Sequence, residues 1–139
     1  MSVHLRETER WAIQTQISYA RLMKTFHTET SPFFFGAFDS DITWHVPGHG
    51  PLSGSYAGHD QIGAFFQRTM ELSGGVFSID VHNVLAKGDR VVVLATVNAQ
   101  RKGISASFAE IHVWQMKNGK AIGFREYQGD EQGEDQFWS

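Results

Sequence analysis

Tyr19, His45 and Glu126 are the side chains whose types and positions point most directly to chemistry. His45 stands just before Val46-Pro47-Gly48, at the end of a strand-patterned run and on the face opposite Trp44 and Val46. An imidazole titrates near neutrality, so a histidine at a strand end can give or take a proton. Strand alternation puts Glu126 on one face with Ile122 and Phe124, and Arg125 and Tyr127 on the other. An acid aligned with apolar neighbours is either a strand-end residue reaching water or a carboxyl held in a cavity, because unpaired burial is costly. Tyr19 falls inside the apolar arc of an amphipathic helical pattern, which turns it toward the interior.

The remaining candidates suit plainer roles. In the run around His112, Ala109, Ile111 and Val113 alternate with Glu110, His112 and Trp114. If the smaller apolar set faces the interior, His112 and Trp114 lie on the outer face as packing or interface residues. His49 and His59 sit in glycine-rich loops and are expected to be solvated. No histidine pair has the spacing of a metalloprotease helix or a zinc finger, and the sequence has no cysteine. No metal site, thiol nucleophile or disulfide is therefore predicted. Gly48-His49-Gly50 lacks the lysine of a phosphate cradle, and the glycines around Ser53 form no nucleophile motif.

The elements that must position these residues follow from periodicity and turn signals. Residues 5–28 carry a helical pattern, with Phe26, Tyr19, Ala12, Met23, Ala20, Ile13 and Ile17 on one arc. Ser31-Pro32 suits the start of a short helix crowded by Phe33, Phe34, Phe35 and Phe38. A strand is predicted over Ile42–Val46, a loop from Gly48 to Gly58, and a helix over Asp60–Leu72 with Ile62, Phe65, Phe66, Thr69 and Met70 inward. Strands over Val76–Ala86, Arg90–Gln100, Ile104–Met116 and Lys120–Gln128 then form a meander, and Asn118-Gly119 marks its last hairpin. The acidic tail from Gly129 is expected to dock back through Phe137-Trp138. Helices followed by consecutive hairpins predict an α+β fold in a single domain over residues 1–139.

Bulk properties narrow the field. The formal charge of −3 leaves no basic face for nucleic acid, and no apolar run approaches a membrane span. Met1 to Arg10 has no apolar core like that of a signal peptide, so a cytoplasmic location is the default expectation. Aromatic residues make up 13% of the chain, including 11 phenylalanines, which suits either a dense core or an aromatic-walled cavity.

Trp44-His45-Val46-Pro47-Gly48, Pro51-Leu52-Ser53-Gly54-Ser55-Tyr56-Ala57-Gly58, Ile62 with Phe65-Phe66, Ser73-Gly74-Gly75, Asn118-Gly119-Lys120 and Asp135-Gln136-Phe137-Trp138 together resemble the SnoaL-like branch of the nuclear transport factor 2-like superfamily. The resemblance covers almost the whole chain. It implies a cone-shaped α+β barrel, with N-terminal helices packed over a curved, mainly antiparallel sheet, often dimeric through that sheet. Members include ketosteroid isomerases, polyketide cyclases, epoxide hydrolases, dehydratases and proteins that only bind a ligand. Matched to the isomerases, the strand aspartate that acts as base falls on His45, the first-helix tyrosine on Tyr19, and the second oxyanion donor on Ile111. An isoleucine cannot donate, so an ordinary ketosteroid isomerase is not expected.

The leading expectation is a cofactor-independent pocket enzyme using acid–base chemistry on a small, largely apolar substrate. His45 would move the proton, Tyr19 would hold a substrate oxygen, and Glu126 would orient His45 or act as a second acid. Phe34, Phe38, Phe66, Ile111, Val113 and Phe124 would line the wall. Two rivals are a non-catalytic module for a hydrophobic ligand, and a dimeric scaffold working through Trp44, His112, Trp114 and Tyr127 on the sheet face.

Overall fold

Tight turns at Gly88, Gly103 and Asn118-Gly119, all with positive φ, fold the second half of the chain back on itself three times. The structure is a computed structural model that describes residues 36–139. The predicted helix over 5–28, with Tyr19, and the segment holding Phe34 lie outside the described residues. The strands are β1 (Phe38–Val46), β2 (Gly54–Ala57), β3 (Phe77–Lys87), β4 (Arg90–Arg101), β5 (Ile104–Lys117) and β6 (Lys120–Gln128). The helices are α1 (Gly58–Leu72) and α2 (Glu131–Trp138).

Among the described residues two helices pack over a curved, open sheet of six strands in the order β2-β1-β6-β5-β4-β3, so the fold is α+β. All pairings are antiparallel except β1 with β6. Three local expectations need correction. The run from Gly48 to Gly58 is not all loop, because Gly54–Ala57 pairs with β1 and satisfies its edge. Phe38 opens β1 rather than belonging to a helix. The acidic tail folds as α2, capped by the Asp130 carboxylate accepting from the Gly133 amide at 2.9 Å.

The helix-covered face of the sheet holds the core. Ile42, Trp44 and Val46 from β1 meet Val91, Val93 and Ala95 from β4, Trp114 and Met116 from β5, Ala121 and Phe124 from β6, and Ile62 from α1. Trp44 stacks on Phe124 at 3.7 Å and meets Phe66 and Trp114 edge-on at 5.2 and 5.5 Å. A second cluster joins Leu52, Ala99 and Trp138, which brings α2 onto the same layer. Arg101 ties the two helix ends together, donating to the Leu72 carbonyl at 3.2 Å and to the Ser139 carbonyl at 3.2 and 3.3 Å. No helix among the described residues is long and apolar enough to cross a membrane.

The inward face of β6 is set by one irregularity. At the hairpin Lys117 pairs with Lys120 and Met116 with Ala121, but Gln115 then pairs with Gly123, leaving Ile122 as an extra residue. A plain two-residue hairpin would set His112 opposite Arg125. The bulge instead sets it opposite Glu126, and Trp114 opposite Phe124. Cross-strand partners share a face, so His112 and Trp114 point inward with Phe124 and Glu126. This corrects the expectation that they lie outward. Ile111 and Val113 occupy the outer face instead, Ile111 being 42% exposed. The aromatic and imidazole set has more surface to bury than the aliphatic one, and it pairs in regular register with the buried Val91, Val93 and Ala95 of β4.

Candidate functional site

The core is incomplete where β5, β6 and α2 converge. A cavity of about 70 Å³ remains there, roughly five times the space one water needs. Its apolar wall includes Trp44, Phe65, Phe66, Trp114 and Phe124, and its polar end is formed by Glu110, His112, Glu126, Gln128 and Glu134. Strand alternation explains four of these five. Glu110 and His112 are two apart on β5, Glu126 and Gln128 two apart on β6, and each pair must share a face. Glu134 arrives from α2, one turn before Trp138, and the two buried residues form the helix's docking edge.

Hydrogen bonds order this polar end. His112 Nε2 lies 2.8 Å from Glu110 Oε1 and 4.0 Å from Glu126 Oε1. Gln128 donates from Nε2 to Glu126 Oε2 at 2.6 Å. Glu134 shares a hydrogen bond with Glu110, so three carboxyls and one imidazole are linked. Burial pushes the Glu134 carboxyl up to about 11, with Glu110 and Glu126 adding to the shift. Burial also holds Glu110 well above the usual carboxylate range, and the negative charge of Glu126 raises it further. The same desolvation lowers His112, against the pull of Glu126. The surroundings therefore favour the protonated form of Glu134 and Glu110 and the neutral form of His112, an arrangement able to both give and take protons. The donors of Glu110, His112 and Glu126 lie within 4.8 Å of one another, close enough for a metal ion.

The loop below the cavity is pinned by α2. Asp135 accepts from the His49 amide at 2.9 Å and the Gly50 amide at 3.1 Å, while Ser53 Oγ donates to the Pro47 carbonyl at 2.8 Å. Gly48 has φ +99°, and a Cβ there would fall on the Asp135 carboxylate. His49 is exposed, and His59 faces the Phe38 carbonyl at 3.1 Å rather than the cavity.

The expected residues are only partly brought together. Glu126, Phe66 and Phe124 line the cavity. Phe38 packs in the core behind Trp44 and Trp114 and does not line it. His45 is on the outer face, bonded through Nδ1 to Ser55 at 2.9 Å and paired with Arg125 across the parallel strands. It cannot approach Glu126 from there, because Trp44 and Val46 take the inward positions of β1. Ile111 and Val113 are outside as well, so neither is a lining residue. The sequence reading missed Glu110, Gln128 and Glu134 and turned His112 outward. The Glu110-x-His112-x-Trp114 alternation was the visible signal. The i, i+4 pair Glu134 and Trp138 was the other, hidden in an acidic tail.

A family profile described as SnoaL-like domain matches residues 19–124. No functionally curated protein matches the chain. Among solved structures, Bal32a from a soil-derived mobile gene cassette is 29% identical with a TM-score of 0.84, over 96% of this chain and 100% of that one. A Xanthomonas campestris protein of unknown function with a cystatin-like fold is 26% identical with a TM-score of 0.75, over 89% and 98%. TerC, co-crystallized with polyporic acid, is 22% identical with a TM-score of 0.74, over 93% and 99%.

Proposed function

Because the chain belongs to the SnoaL-like domain family, which has polyketide cyclase and isomerase members, we propose that it moves protons on a small, largely apolar substrate held in the inner cavity. The observation that carries this reading is the His112–Glu110 contact at 2.8 Å, with Glu126 reaching the same imidazole nitrogen, inside an aromatic wall. Glu126 is the least buried of the linked acids at 12% side-chain exposure, so it is the one placed to meet substrate. It takes the proton from a carbon or hydroxyl of the substrate, and the Gln128 amide holds its carboxylate in position. His112 and Glu110 stand behind it and supply or store the proton, acting as positioning residues. Isomerisation, aldol cyclisation and dehydration all need such a step. No step calls for a cofactor.

Deuterium uptake from heavy water into the α-carbon of a small cyclic ketone tests this. The wild-type chain should catalyse the exchange, and Glu126→Gln, which keeps shape but cannot take the proton, should lose it by about two to four orders of magnitude. Binding of the ketone with exchange at the uncatalysed rate would favour the ligand-carrier reading.

The outer sheet face supports a second reading, a homodimer. Leu85 and Tyr127 are 60% and 51% exposed on that face and flank Leu94, Ile111 and Val113. His112, Trp44 and Trp114 are not part of it, so the scaffold version reduces to these outward residues. Sedimentation should give a dimer that Ile111→Glu converts to monomer with the fold intact. A monomeric wild type at high concentration would rule the dimer out.

A further inference from the structure

Buried polar atoms in a folded protein are nearly always hydrogen-bonded, and each exception calls for a partner the chain does not supply. Among the described residues three buried side-chain atoms lack one: Trp44 Nε1, Gln128 Oε1 and Glu134 Oε2. Trp44 and Glu134 are 5% and 2% exposed, so bulk water does not serve them. All three residues line the one inner cavity, although they come from β1, β6 and α2. Their chemistry is mixed. The indole nitrogen can only donate. Gln128 spends its amide N–H on the Glu126 carboxylate at 2.6 Å, which leaves its carbonyl oxygen as an acceptor. Glu134 directs its hydrogen bond to Glu110, which leaves the other oxygen as an acceptor too.

From this set we infer that the cavity is built for a small hydroxycarbonyl compound, its carbonyl oxygen accepting from Trp44 and its hydroxyl donating to Gln128 or Glu134. The inference rests on the reading of the cavity as a ligand site and names the substrate class within it. A pure hydrocarbon would leave all three atoms unsatisfied. A simple ketone would satisfy only the indole. A cation would meet the two oxygens but repel the Trp44 N–H. The aromatic wall of Trp44, Phe65, Phe66, Trp114 and Phe124 takes the apolar body. Glu126 lies beside Gln128, within reach of the carbon that separates a carbonyl from a hydroxyl, the position whose proton is most readily removed.

Ligand-detected NMR titration with 2-hydroxycyclohexanone, cyclohexanone and benzene tests the assignment. Affinity should fall in that order, by about fivefold for each hydrogen bond given up, the worth of one neutral bond. Trp44→Phe should narrow the preference for both ketones over benzene by about fivefold, while Gln128→Leu should narrow only that of 2-hydroxycyclohexanone over cyclohexanone. The wild-type chain provides a check that needs no variant: the Trp44 indole N–H resonance should move downfield with either ketone and stay in place with benzene. Equal affinities for the three probes, an unmoved indole resonance, or no binding up to the solubility limits would overturn the inference. The expected selectivity without deuterium exchange would keep it and remove the catalytic reading. Exchange without the selectivity would do the reverse.

Discussion

Burying Glu134 beside Glu110 and Trp138 makes folding take up a proton. The unfolded carboxyl titrates near 4.5 and the folded one at about 11, so between those values the folded chain holds a proton that the unfolded chain has released. Its stabilising share is complete below the unfolded value and declines as pH rises toward the folded one, by on the order of 1 kcal/mol per pH unit. Glutamine has the same shape, can donate to Glu110, and does not titrate. The stability advantage of Glu134→Gln over the wild type should therefore widen from pH 5 to pH 8, as urea denaturation would show. A constant gap between the two curves would mean Glu134 is ionised in the folded chain. At this scale the sequence was only partly legible. Glu126 could be placed by parity, but the partners that shift its neighbours come from two other elements and leave no local pattern.

Among the elements, β6 decides what the cavity contains. The Asn118-Gly119 signal located the last hairpin correctly, and the strand boundaries of the meander lie within a residue or two of those expected. The face of β5 was not readable in the same way, because Glu110-His112-Trp114 and Ala109-Ile111-Val113 alternate along it, and only its pairing with Val91, Val93 and Ala95 of β4 decides which set is inward. On β6 the extra residue Ile122 exchanges the faces of everything beyond it, and a bulge has no strong sequence signature. His112 and Glu110 are inner residues in a strand whose neighbouring aliphatics look equally suited to the interior. The helix α2 was obscured for another reason. Its docking edge consists of only Glu134 and Trp138, and the intervening polar residues dilute the helical period.

For the whole molecule, the α+β class was legible because the helical pattern over Asp60–Leu72 and the run of hairpins after Val76 are each strong, while β2 and α2 leave weaker patterns. What local patterns lack is the placing of β1 beside β6. That parallel pairing joins Thr43 with Gly123 and Trp44 with Phe124, roughly eighty residues apart, whereas the meander joins near neighbours. Contacts between distant segments close late, since the loop entropy they cost is repaid only when they form. Trp44 belongs to β1, so the wall of the cavity is completed only as that last strand docks. On that order of events the pocket belongs to the finished fold and is not yet formed at the rate-limiting barrier. A bound ligand should act as a latch on an already closed molecule: saturating 2-hydroxycyclohexanone should slow unfolding while leaving the refolding rate unchanged in stopped-flow measurements. A refolding rate that rises with the ligand would show that β1 pairs early instead.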